Sequence, residues 1–213
     1  MTSSSPSAVE PPRGLLLLGG SRAEIADWAK RTVVPLVVAP TDAWTVAVAT
    51  GEPMTASPYD DAALLLASRP VPITAGPALG FFEIDGRAVV TVHGSGRRRG
   101  TGWVVWEPEI GLLRPPGLDL AGPAELVRIA ACAPSVRDEL VDLLHETRSR
   151  PLTMLQAVMA TLSLPGARLL AEPERAGSMP SAKAHGPREV EVGRFEDAVA
   201  DSVRLRRELG ALP

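Results

Sequence analysis

The chain predicts an α+β fold, with an antiparallel-rich mixed sheet in residues 13–110 covered by helices that follow it. Asp85-Gly86 lies between Phe81-Phe82-Glu83-Ile84 and Ala88-Val89-Val90-Thr91-Val92. Such a dipeptide between apolar runs marks a tight hairpin, because its turn needs positive φ. After Pro115-Pro116-Gly117 the apolar period lengthens to that of helices. Finally, Val34-Pro35-Leu36-Val37-Val38-Ala39-Pro40 is echoed by Val71-Pro72-Ile73-Thr74-Ala75-Gly76-Pro77, and each copy follows a helix-like run. The echo suggests a domain built from two related halves.

The elements follow in order. Residues 1–12 are rich in Ser and Pro and predict a disordered start. Gly14-Leu15-Leu16-Leu17-Leu18, ended by Gly19-Gly20, suits a strand buried on both faces. Ser21 with Glu24 three residues on forms a capping box, and Ile25, Trp28 and Ala29 share the face of the helix it opens. Strands are expected over 35–39 and 43–49, and a helix over Pro58–Arg69. A looser hairpin runs through residues 94–100 into Trp103-Val104-Val105-Trp106.

Pro123–Ala133 reads as a helix. Ser135-Val136-Arg137-Asp138 reads as a second capping box, opening a helix with Val136, Leu140, Leu143 and Leu144 on one face. Pro151 opens a third helix bearing Leu152, Leu155, Val158, Met159 and Leu162. Residues 173–193 carry few large apolar side chains and read as a linker. Residues 194–213 then form an amphipathic C-terminal helix. The order strand–helix–strand–strand–helix–strand resembles a ferredoxin-like arrangement with duplicated β-α-β-β character, extended by extra strands.

Composition bounds the function. The chain has 213 residues and 45% apolar content, enough for one domain of 13–172 plus an appendage. Net charge is −3, which argues against nucleic acid as a partner. No window holds the roughly 18 apolar residues of a membrane helix, so no membrane partner is expected. Cys132 is the only cysteine, which excludes an intrachain disulfide and suits a reducing cytoplasm.

Chemistry-bearing residues are few. Gly19-Gly20-Ser21, between a strand and a helix, is a candidate anion site because a helix start offers unpaired N–H groups. The dinucleotide fingerprint lacks its third glycine, and no P-loop lysine follows, so no cofactor is expected. Arg97, Arg98 and Arg99 sit in a glycine-rich loop flanked by His93 and Trp103. Guanidinium forks there suit phosphate or a carboxylate-rich partner.

His93, His145 and His185 have no metal spacing, and no G-x-S-x-G marks a nucleophile. Cys132 reads as a small apolar side chain in an Ala-rich stretch. The pair Asp60-Asp61 reads as a helix start, and Glu107 with Glu109 as a solvated strand end. Phe195, Val199 and Val203 form an i, i+4, i+8 stripe on the last helix, with Glu196, Asp197 and Asp201 early and Arg204, Arg206 and Arg207 late.

The leading expectation is a non-catalytic cytoplasmic interaction or regulatory protein that uses this tethered helix and the arginine-rich hairpin loop, the helix binding a protein partner or a second copy of the chain. The alternative is an enzyme or sensor binding a small phosphorylated ligand at Gly19-Gly20-Ser21. A nucleic-acid factor using the arginine loop is the third.

Overall fold

β1, Gly14–Leu18, is buried over its whole length. A strand can be apolar on both faces only if both are covered, and the computed structural model, which describes residues 13–94 and 100–210, shows how that is done. β1 pairs antiparallel with β3, Thr45–Ala49, on one side and with β4, Ala78–Ile84, on the other. β2, Leu36–Pro40, lies beyond β3. The hairpin strand β5, Arg87–His93, lies beyond β4, followed by β6, Gly102–Glu107, and β7, Gly111–Leu113. With β8, Lys183–His185, on the outer side of β2, the eight-stranded order is β7-β6-β5-β4-β1-β3-β2-β8. Every strand pair in it is antiparallel.

The first four strands follow the split β-α-β pattern. Helix α1, Arg22–Ala29, links β1 to β2, and α2, Ala62–Ser68, links β3 to β4. Both cover one face. Leu16, Leu18, Ala47, Ala49 and Phe82 point there and pack with Ile25 and Trp28 of α1 and Leu65 and Leu66 of α2. Leu15, Leu17, Val46, Val48 and Phe81 point to the opposite face. There they meet α3, Pro123–Ile129, α4, Val136–His145, and α5, Pro151–Thr161, through Leu126, Leu140, Leu144, Leu155, Val158 and Met159. The alternation of strand side chains thus feeds two cores from one sheet.

Local chemistry fixes the connections. Asp85 and Gly86 both have positive φ, 49° and 70°, as the hairpin turn demands. Ser21 caps α1 by accepting from the Glu24 amide at 3.4 Å. The α2 cap is Asp61, whose carboxylate accepts from the Leu64 amide at 3.0 Å. That cap starts α2 four residues later than the helix expected from Pro58. Ser135 makes no side-chain cap, so the second capping box does not form.

The Val-Pro echo sits in the helix-to-strand link of both halves, but the copies differ in structure. The first enters β2 at Leu36. The second is a turn, with the Ala75 and Gly76 amides donating to the Pro72 carbonyl at 2.9 and 3.2 Å.

The stretch 173–193, read from sequence as a linker, holds a 3-10 turn over Pro173–Ser178, then β8, then the start of α6, Glu189–Gly210. β8 pairs Lys183, Ala184 and His185 with Val38, Val37 and Leu36. Backbone pairing holds it, so the stretch needs no large apolar side chains. It also covers the β2 edge, which would otherwise expose unpaired N–H and C=O groups. α6 begins at 189 rather than 194 because the Arg188 carbonyl accepts from the Glu191 and Val192 amides.

The two-core reading gives a direct expectation. Leu17→Ala removes a fully buried side chain from the β1 centre and costs about 2–5 kcal/mol. Leu112→Ala, on the short edge strand β7, stays within about 0.5 kcal/mol, as surface changes do. Urea unfolding measures both, with the midpoint falling and the slope unchanged for Leu17→Ala.

Candidate functional site

One end of the sheet carries the Gly19 turn and the end of β5. Leu18 pairs with Ala78, and Ala78 with His93. The Gly19 turn and the loop leaving β5 therefore lie at the same sheet end, two strand spacings or about 10 Å apart. Arg97, Arg98 and Arg99 lie outside the described residues, while Gly94 and Gly100 flank them inside.

The Gly19-Gly20-Ser21 turn is built as a backbone lock. Gly19 donates its amide to the Pro77 carbonyl at 2.8 Å, and Gly20 to that of Ala75 at 3.1 Å. A Cβ on Gly20 would lie 2.4 Å from the Thr74 carbonyl oxygen, so only glycine lets these backbones meet. The Glu24 carboxylate accepts from the Thr74 hydroxyl at 2.9 Å and places negative charge beside the turn. The glycine amides that a phosphate needs are thus already engaged, and these glycines join the β1–α1 turn to the α2–β4 turn.

His93 ends β5 and is buried. Its Nδ1 is 3.5 Å from the Thr101 hydroxyl, and its Nε2 has no partner among the described residues. Burial pushes its pKa down to about 4. His145 lies elsewhere, its Nδ1 2.7 Å from the Val141 carbonyl, and His185 belongs to β8. Among the described residues, no group of His, Cys, Asp and Glu is arranged to hold a metal. Half-buried Cys132 follows α3, and its thiol lies 3.2 Å from the Leu162 carbonyl. Burial raises its pKa, which disfavours the reactive thiolate. Glu107 is paired with Arg87 at 2.8 Å, so it is no free acid or base.

A third feature was not legible in sequence. Arg69 stacks on Trp28, 3.9 Å from the ring centroid, and donates to the Trp28 carbonyl. Trp28 in turn donates its indole N–H to the Pro70 carbonyl at 3.0 Å. Burial lowers the Arg69 pKa to about 10, with nearby Arg31 adding to the effect and Glu191 opposing it. This clasp joins the end of α1 to the end of α2, and Glu191 places α6 beside it.

Among the described residues, α6 is anchored by its beginning. Val192 and Glu191 are buried, and Glu191 receives Arg188 at 2.7 Å and Arg194 at 3.1 Å. Phe195 packs on the α1–α2 core and meets Tyr59 edge-on, with ring centroids 5.6 Å apart. From Glu196 on, every described side chain is exposed except half-buried Val199. Val203 is 36% exposed and Leu205 56%. Residues 196–210 extend the helix by about 22 Å, at 1.5 Å per residue.

The predicted stripe is therefore divided. Phe195 belongs to the domain, whereas Val199 and Val203 continue its face outward. Glu196 and Arg207 are eleven residues apart and so lie within roughly 20° of each other around the helix, both on one flank of that face.

No helix among the described residues is long and apolar enough to cross a membrane. No protein-family model, curated protein or solved structure matches the chain.

The buried His93 gives a pH test. Its native pKa lies below the ordinary 6.5, so the unfolded state binds the proton first as pH falls. His93 therefore supports the fold fully above pH 6.5, and that support is lost as pH falls toward 4, by roughly 3 kcal/mol at most. Urea midpoints measured across that window should fall for the natural chain, and His93→Gln should remove this part of the slope.

Proposed function

We propose that this is a non-catalytic interaction protein whose α6 pairs antiparallel with α6 of a second copy. The observation that carries the reading is the division of α6: a short anchored start and an exposed remainder whose apolar stripe continues the anchored face. An amphipathic helix face without a cover is a common docking element.

Charge supports a second copy over an unrelated partner. In an antiparallel pair, like flanks face each other, and residues whose numbers share one sum stand opposite. With the centre between Asp201 and Ser202, Glu196 stands against Arg207 of the second copy, and Arg207 against its Glu196. The same register sets Val199 and Val203 within one residue of each other across the axis. The acidic first half of the helix then covers the basic second half. A parallel pair would set like charges together, which costs affinity.

The contact is small. About four turns of helix per copy fall short of the 1,200–2,000 Å² of a standard stable interface. Association is therefore weak and dependent on concentration, as suits a regulatory contact.

Sedimentation velocity over a micromolar-to-millimolar series tests this. The natural chain should shift from monomer to dimer. Glu196→Arg and Arg207→Glu should each weaken the dimer by about tenfold or more, since each creates two like-charge pairs. The double variant E196R/R207E should restore it. A chain that stays monomeric throughout, or a double variant no better than the singles, overturns the reading.

A further inference from the structure

A separate cleft of about 260 Å³ lies on the α1 side of the sheet, between α1 and the β2–β8 edge. Its floor and inner wall are apolar: Ile25 and Ala26 of α1, and Val38 and Pro40 of β2. The strand pairing explains the rest. Leu18, Val38 and Ala47 point toward α1. By register Thr45 stands opposite Leu18, Lys183 opposite Val38 and His185 opposite Leu36, so all three face the same side. Arg22, at the start of α1, and Ser181, before β8, complete the rim.

The polar lining has one chemical character. Arg22, Thr45, Ser181, Lys183 and His185 can all donate, and among the described residues no carboxylate lines the cleft. Among the described residues none of the five finds a side-chain hydrogen-bond or ion-pair partner, although Thr45 is buried. The nearby carboxylates are engaged elsewhere, Glu24 with Thr74 and Asp27 with Lys30 at 2.7 Å. Burial, and after it the cationic neighbours Lys183, Lys30 and Arg69, hold the His185 pKa down. On a chain of net charge −3, such a pocket without counter-charge is a local reversal of sign.

We infer that this cleft binds a small organic oxyanion, a phosphate monoester or carboxylate carried on a short apolar group. The guanidinium of Arg22 and the ammonium of Lys183 close on the anionic end from opposite walls, the first as a planar fork and the second as a point charge. The Ser181 and Thr45 hydroxyls supply neutral donors. The apolar group rests on Ile25, Val38 and Pro40. The volume lies just under the roughly 300 Å³ at which pockets for drug-sized ligands begin, so the ligand is small. β8 is essential to the site, because without it Lys183 and His185 have no fixed place.

The test is a titration followed by amide resonances of the full chain, with phenyl phosphate, benzoate and inorganic phosphate as probes at matched ionic strength. Saturable shifts at Ala26, Val38, Lys183 and His185 are expected with phenyl phosphate or benzoate. Arg22→Gln and Lys183→Gln should each weaken binding by about tenfold, as loss of a charged hydrogen bond does. Unchanged β1 and β4 resonances show that each variant is folded. No saturable shift with either organic probe overturns the inference, as does unchanged affinity in both variants. Inorganic phosphate binding as tightly as phenyl phosphate overturns the assignment of the apolar floor.

Discussion

Everything in this molecule hangs on β1 being buried on both faces. Four consecutive leucines divide between two cores, Leu15 and Leu17 to one and Leu16 and Leu18 to the other. Full burial of a leucine side chain is worth roughly 1.5–3 kcal/mol, and each of these is fully buried. The strand can exist only if helices lie on both sides of it, and the chain supplies them in order: α1 and α2 from the connections of the first half, α3 to α5 afterwards. A slip of one residue in its pairing would exchange the two sets of leucines, so register is tightly set.

The two proposed surfaces follow from what this centre leaves over. At the β2 edge, β8 closes the sheet by backbone pairing, and its Lys183 and His185, on the α1 side, line the wall of a cleft. α6 follows at once, and only its first two turns find the α1–α2 core. The remainder has no sheet beneath it. The Arg69–Trp28 clasp, Glu191 and Phe195 fix where the helix leaves the domain. Fold and function thus meet in residues 181–195, a stretch poor in large apolar side chains.

That poverty explains what the sequence hid. β1 was legible because continuous leucine between glycines has few other uses, and the β4–β5 hairpin because Asp85-Gly86 can hold positive φ. The amphipathic stripes of α4 and α5 were legible by period. β8 was not, because an edge strand held by backbone pairing carries no apolar pattern, and Lys183-Ala184-His185 looks like linker. The start of α2 was misplaced because Pro58 suits a first helical turn, whereas Asp61 is the N-cap and the helix opens only at Ala62. The Val-Pro echo promised a repeat, but Ala75 and Gly76 turn the second copy where Val38 and Ala39 extend the first. The cleft was invisible for a different reason: Arg22, Thr45 and Lys183 come from three distant segments, and only the strand order brings them together.

The central claim is that α6 beyond Phe195 is a handle outside the core, covered only by a second copy. Hydrogen exchange of the full chain at low and high protein concentration tests it most directly. The account predicts that amides 196–209 exchange quickly when dilute and become protected when concentrated, while β1 and β4 stay protected at both. Protection of 196–209 that is already full in dilute solution would mean that the helix finishes its own core, and would contradict the account.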